Sequence, residues 1–219
     1  MAQPYRRGAR VSAPGKIDPG IGEFWVENPW EITSAGHNLS NNERQRLYLN
    51  HQGRGFFDLS YLSGADAEGD GRSVVAADLR NNGRLDLIVR KVGGGIKVGD
   101  KYAGGALTIY ENQFPRRHYL ELSLRGRTSN RLGIGARVTA SVKGLSLLRE
   151  MYPINSYRSQ APARLHFGLG DAAVVDRLTI RWPSGREQVL VDLPADRHIV
   201  VEEGQEAVEA VVPGTTIRP

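Results

Sequence analysis

The chain of 219 residues contains no cysteine. That excludes disulfides, thiolate metal sites, iron–sulfur clusters and cysteine nucleophiles in any compartment. Lysine is scarce too: of 29 basic residues 24 are arginine, set against 24 acids for a net charge of +5. Long apolar runs are missing. The longest are broken by charge or glycine well short of the ~20 residues that span a bilayer, which predicts a chain without a transmembrane helix. The start carries Arg6, Arg7 and Arg10 but lacks the apolar stretch of an export signal. Sustained 3.6-residue periodicity is also lacking, and the segment nearest to helical, Asp171 to Val175, amounts to one turn at most.

What is present is glycine and short β-rich runs. Residues 1–45 hold Pro4, Pro14, Pro19 and Pro29 with Phe24, Trp25 and Trp30 spaced between them. Proline at that density disfavours helix and sheet interiors, so the segment reads as an extended arm whose three large rings pack against this chain or a neighbour. Residues 46–115 read as an antiparallel meander of four- and five-residue strands bounded by Gly, Asn and Asp, with Val92 to Gly105 as a long glycine-rich loop. From residue 116 to 204 the runs lengthen and alternate strictly. Leu120, Leu122 and Leu124 oppose Glu121, Ser123 and Arg125, and the same period of two recurs at Val138–Val142 and Leu178–Trp182. Roughly six or seven half-buried strands of this kind make a β-sandwich. From 205 to 219 the pattern decays into a tail. The fold class is therefore all-β: one propeller-like antiparallel blade followed by a β-sandwich, preceded by an extended arm.

The segment Asp78-Leu-Arg-Asn-Asn82-Gly83-Arg-Leu-Asp86 is the most chemical in appearance. A calcium loop places oxygen ligands at positions one, three, five and nine and needs Gly at six for its sharp turn, which Asp78, Asn82, Gly83 and Asp86 satisfy. Position three is Arg80, a cation where an oxygen belongs. The alternative is a turn whose Asp and Asn hydrogen-bond their own backbone, with Arg80 paired across the loop. A weaker set, Asp66, Glu68 and Asp70, spaces three carboxylates by two and lacks a closing acid. Calcium is the cofactor these two loops could hold, and turn chemistry selects the same residues with no metal at all.

The series Glu43 to Asn50, Phe57-Asp58, Ser63-Gly64, Asp70-Gly-Arg72 and Asp78 to Asp86 resembles the FG-GAP or VCBS repeat of β-propellers. The stretch from about Tyr119 to Glu203 resembles the ASPIC/UnbV domain, which closes cartilage acidic protein 1 and its bacterial relatives. That likeness rests on Asn130-Arg-Leu-Gly133-Ile-Gly135-Ala-Arg-Val138, Ser156-Tyr157-Arg-Ser159-Gln160, Arg164 to Asp171, Val175-Asp176 and Trp182-Pro-Ser-Gly185. The resemblance implies an extracytoplasmic setting and, through the repeat, calcium-dependent adhesion. A propeller closes with about 4–8 four-stranded blades, and this chain has room for one. A lone blade leaves sheet edges to be capped by the arm, the sandwich or another subunit.

A catalytic constellation is missing from the pattern. His37, His51, His118, His166 and His198 lie far apart with no ligand spacing, and no nucleophile elbow or P-loop occurs. Gly133-Ile-Gly135 precedes a strand rather than a helix and suits a bulge or tight turn. Arg116 and Arg117 open a basic stretch reaching Arg137, with one aromatic, Tyr119, beside it. Nucleic-acid recognition wants interleaved aromatics, so an acidic protein or membrane-proximal surface is the better partner. The residues together describe a non-enzymatic protein-interaction module, an accessory or scaffold subunit of a larger extracytoplasmic assembly. Phe24, Trp25, Trp30, Arg116 and Arg117 are its contact candidates. A calcium-dependent matrix protein and an enzyme or carbohydrate-binding module are the alternatives.

Overall fold

The computed structural model describes residues 44–211 apart from 52, 68–69, 93–96, 99–100, 103–106 and 158. The aromatic positions Phe24, Trp25 and Trp30, and with them the arm, lie outside the described residues. In chain order the strands are β1 (Tyr48–Asn50), β2 (Phe56–Asp58), β3 (Asp70–Ala77), β4 (Asp86–Val92), β5 (Lys97–Val98), β6 (Lys101–Tyr102), β7 (Leu107–Tyr110), β8 (His118–Arg125) and β9 (Arg137–Val142). They continue as β10 (Leu145–Glu150), β11 (Ile154–Ser156), β12 (Ser159–Gln160), β13 (Leu165–Gly170), β14 (Val174–Arg181), β15 (Glu187–Pro194), β16 (Arg197–Glu202) and β17 (Val208–Ala210). One helical turn, α1, covers Ser60–Ser63. The all-β expectation holds.

The chain divides into two compact units, residues 1–72 with 90–108, and residues 73–89 with 109–219. The second contains the sandwich. One of its sheets has the strand order β10-β9-β14-β15 and the other β13-β8-β16-β17. Neighbours run antiparallel except β8 and β16, which pair in parallel from Arg197 opposite Leu120 to Glu202 opposite Arg125. The alternation read in the sequence explains the core. Leu120 and Leu122 from β8, Val138 and Ala140 from β9, Phe167 from β13, and Leu178 and Ile180 from β14 are all fully buried. Each strand thus turns one side chain in two toward the opposite sheet. The sandwich has eight strands rather than six or seven. The additional ones are β10 and β17; β17 pairs with β16 from Ile199 opposite Ala210 and carries the sheet beyond residue 204 into the expected tail.

The glycine motif at 130–138 is a turn. Both polar atoms of the Asn130 carboxamide bond the backbone of Ile134, Nδ2 to its carbonyl and Oδ1 from its N–H, each at 2.8 Å. Gly133 adopts φ +62°, and a Cβ there would lie 2.9 Å from that of Leu124. Only glycine satisfies both conditions.

Before residue 115 the expected single blade resolves into a three-stranded sheet of order β3-β4-β7 and two separate two-stranded ladders, β1-β2 and β5-β6. The ladder of β5 and β6 corrects the reading of Val92 to Gly105 as a strandless loop: Lys97 pairs with Tyr102 and Val98 with Lys101. Glycine on either side of a short Lys-Val run punctuates a tight ladder as readily as it makes a loop. The helical turn likewise falls at Ser60–Ser63 rather than at Asp171–Val175, where a turn leads into β14. Asp58 explains this placement, since its Oδ1 accepts the Ser60 N–H at 2.9 Å and the Ser60 hydroxyl as well. Gly64, left-handed at φ +70°, ends the turn.

Candidate functional site

The loop Asp78–Asp86 and the start of β8 belong to the second unit and meet there. The Asp78 carboxylate turns into its own loop. Its Oδ1 accepts the N–H groups of Arg80 at 3.2 Å and Asn82 at 3.0 Å, and its Oδ2 accepts that of Gly83 at 2.6 Å. Asn82 Oδ1 takes the Arg84 N–H at 3.0 Å. Asp86 is buried; its Oδ1 accepts the Asn112 N–H at 2.8 Å and a guanidinium N–H of Arg80 at 2.9 Å. Arg80 is also ion-paired with Glu111. Burial pushes the Asp86 carboxyl up, but the Asn112 N–H and the Arg80 guanidinium overcome this and hold it below the usual carboxylate range.

A calcium ion needs six to eight oxygens free to face it. Here Asp78 is saturated by backbone donors, and Asp86 faces a guanidinium. The donor set as arranged does not fit the ion. Of the weaker set, Asp66 pairs with Arg44, Oδ2 to the guanidinium at 3.1 Å and its carbonyl to Nε at 3.0 Å. Glu68 lies outside the described residues, and Asp70 opens β3. Among the described residues no three His, Asp or Glu side chains converge as a metal site.

The loop seats on the outer face of β8 and β13. Gly83 is left-handed at φ +82°, and a Cβ there would fall inside the Tyr119 ring. Its carbonyl accepts a hydrogen bond from His166 Nε2 at 3.0 Å, and the His166 ring lies parallel to Tyr119 with centroids 5.8 Å apart. Burial lowers the His166 pKa. The neighbouring Glu121 is opposite His166 on one side and His198 on the other. Burial raises the Glu121 pKa, opposed by Arg164 at 3.7 Å. Burial, aided by the Arg164 charge, brings His198 down to about 4, and its Nε2 lies 2.8 Å from Ser123 Oγ. Of these outward positions, Tyr119 and His166 hold the loop in place.

Beside this seat is a cleft of about 410 Å³, lined by Asn81, Asn82, Arg116, Arg117, His118, Tyr119, Gly170, Asp171 and Asp196. Four separate stretches of chain supply it. Asn81 stands left-handed at φ +50° and Asp196 at φ +58°, each at a tight turn. Asp196 holds the start of β8 in place: its N–H donates to Tyr119 O at 2.7 Å, and its Oδ1 accepts the Tyr119 N–H at 3.3 Å. Its Oδ2 lies 2.6 Å from His118 Nδ1. A carboxylate only accepts, so Nδ1 carries the proton and Nε2 is left as the second ring nitrogen. Arg117 pairs with Asp171, while Arg116 is exposed and makes no hydrogen bond or ion pair with the described residues. The lining offers the Asn81 and Asn82 side-chain amides, two guanidinium groups and an imidazole beside the Asp171 and Asp196 carboxylates.

Of the residues singled out in the sequence, Asn82, Arg116 and Arg117 come together in this cleft; Asp78 and Asp86 lie in the loop that forms one wall. Nothing in the sequence joins His118, Asp171 and Asp196 as a group. Their only sequence signal was the placement of His118 directly after the arginine pair.

A second polar centre lies in the same unit. The buried Glu203 carboxylate accepts the N–H groups of Arg127, Thr128 and Ser129, each at 2.8 Å to Oε2, and the hydroxyls of Ser129 at 3.0 Å and Ser184 at 2.6 Å to Oε1. Burial works against the charge, but these donors bring the carboxyl to about 2. They tie the 126–133 loop to the turn after Trp182.

Residues 126–208 match the family described as ASPIC and UnbV. The matched stretch begins at the loop bonded to Glu203 and ends in β17. No curated protein matches the chain. Among the described residues no helix is long and apolar enough to cross a membrane.

Proposed function

We propose that the chain is a non-enzymatic protein-interaction module, an accessory or scaffold subunit of a larger extracytoplasmic assembly, with an FG-GAP/VCBS-like segment ahead of its ASPIC/UnbV-like sandwich. One observation carries this reading. Every residue of β1 and β2 is exposed, and with α1 these strands present Tyr48, Leu49, Phe56, Phe57, Tyr61 and Leu62 to solvent. Phe56 is 70% accessible, Tyr61 73% and Leu62 82%. A two-stranded ladder with both faces open is marginal by itself, and clustered aromatics of this kind are the usual anchors of protein interfaces. The ASPIC and UnbV match supports the extracytoplasmic, non-catalytic setting. Arg116 adds a guanidinium suited to an acidic partner surface.

Light scattering on the native extracytoplasmic particle tests the reading. The expected result is a mass well above that of one chain, which falls to one chain on Phe57→Ser. Monomers for both proteins would contradict it.

A further inference from the structure

We propose that the guanidinium of Arg80 takes the place of a divalent cation in the 78–86 loop, so that the loop, and the wall it gives the cleft, keep their shape without calcium. The loop has the form of a cation site in its backbone: an acid at position one, a left-handed Asn81 and a left-handed Gly83 at the sharp turn, and a buried acid at position nine. The oxygens gathered around the Arg80 side chain are of the kind a hard cation collects. They are Asp86 Oδ1 at 2.9 Å, a Glu111 carboxylate oxygen and the Asn112 carbonyl at 3.5 Å.

Two features make this an exchange of cations rather than a surface ion pair. The Asp86 side chain is only 3% accessible, and a carboxylate buried to that degree is strongly disfavoured unless a positive charge is held against it. The charge comes from position three of the same loop, the position that would otherwise supply an oxygen ligand. A planar guanidinium also reaches two carboxylates at once, which an ammonium does poorly. An incoming calcium ion would have to displace Arg80 from Asp86 and Glu111 and pull Asp78 away from three backbone N–H groups. The loop is therefore closed to the ion and complete without it, whichever partner the chain binds.

The test uses the full chain, with calcium chloride as the probe. Wild-type protein is expected to give no heat on titration and the same Tm in chelator as in millimolar calcium. Arg80→Met is expected to speed amide exchange at Asn82, Gly83 and Asn112 by about tenfold or more, leaving β9 and β14 unchanged. Arg80→Asp, which restores an oxygen at position three, is expected to lose the same protection in chelator and regain it in calcium but not in magnesium. A calcium-dependent rise in the wild-type Tm would overturn the proposal. So would unchanged exchange in Arg80→Met, or an Arg80→Asp loop equally unprotected with and without calcium.

Discussion

The sandwich and the β1-β2 ladder are built from the same kind of short, aromatic- and aliphatic-rich strand, yet they treat those side chains in opposite ways. In the sandwich Phe167, Leu120 and Ile180 have no accessible surface. In the ladder Phe56 and Phe57 are mostly in water. The difference is one of layers rather than composition. β8 and β13 face a second four-stranded sheet, whereas among the described residues no second layer covers β1 and β2. Apolar residues stabilise a fold only where a second layer removes them from solvent. The ladder's aromatics therefore carry little of the chain's own stability and are available to another surface.

The largest expected contrast comes from cutting back one phenylalanine in each region. Phe167→Ala is expected to lower the unfolding free energy by about 4 kcal/mol through lost burial and the cavity left behind. Phe57→Ala is expected to change it by less than about 0.5 kcal/mol. Denaturant unfolding of both variants measures this, and equal losses would break the comparison.

Next in size is Glu203. Replacing it by Gln removes a charged acceptor from three N–H and two hydroxyl donors, with an expected cost of about 2–3 kcal/mol. Its carboxyl titrates near 2 in the fold against an ordinary value of 4.5. A depressed folded pKa means that its stabilisation is complete above about pH 4.5 and is lost as the pH falls toward 2. Glu203→Gln is expected to flatten that part of the acid-stability curve, and a curve parallel to wild type would show that the donors do not favour the charged form. Smaller again is Gly83→Ala. The added methyl collides with the Tyr119 ring at a left-handed position, at an expected cost of about 1–2 kcal/mol. The loss is expected as faster exchange within the 78–86 loop, with the sandwich core unaffected.

These residues also mark how far the sequence could be read. The period of two at 120–124, 138–142 and 178–182 exposed the sandwich strands and their buried faces, because alternation follows directly from strand geometry. The turn chemistry of Asn130 and Gly133 was legible for the same local reason. Pairing across distance was not. The parallel contact of β8 with β16 joins residues more than seventy positions apart, and Glu203 meets Arg127 to Ser129 across a similar gap. The cleft is not legible in the sequence because four separated stretches supply it and because His118 and Asp196 gain meaning only through their hydrogen bond. At Arg80 the sequence showed a cation in a ligand position. The oxygens that surround it, Glu111 and the Asn112 carbonyl, come from beyond the loop.

Hydrogen exchange on the isolated chain and on the particle proposed for it tests the central contrast most directly. The sandwich strands β8, β9 and β14 are expected to be strongly protected in both. The amides of Tyr48–Asn50 and Phe56–Asp58 are expected to exchange quickly in the isolated chain and to become protected only in the particle. A ladder as protected as β14 in the isolated chain, or one that gains nothing in the particle, would contradict the assignment of this face to a partner.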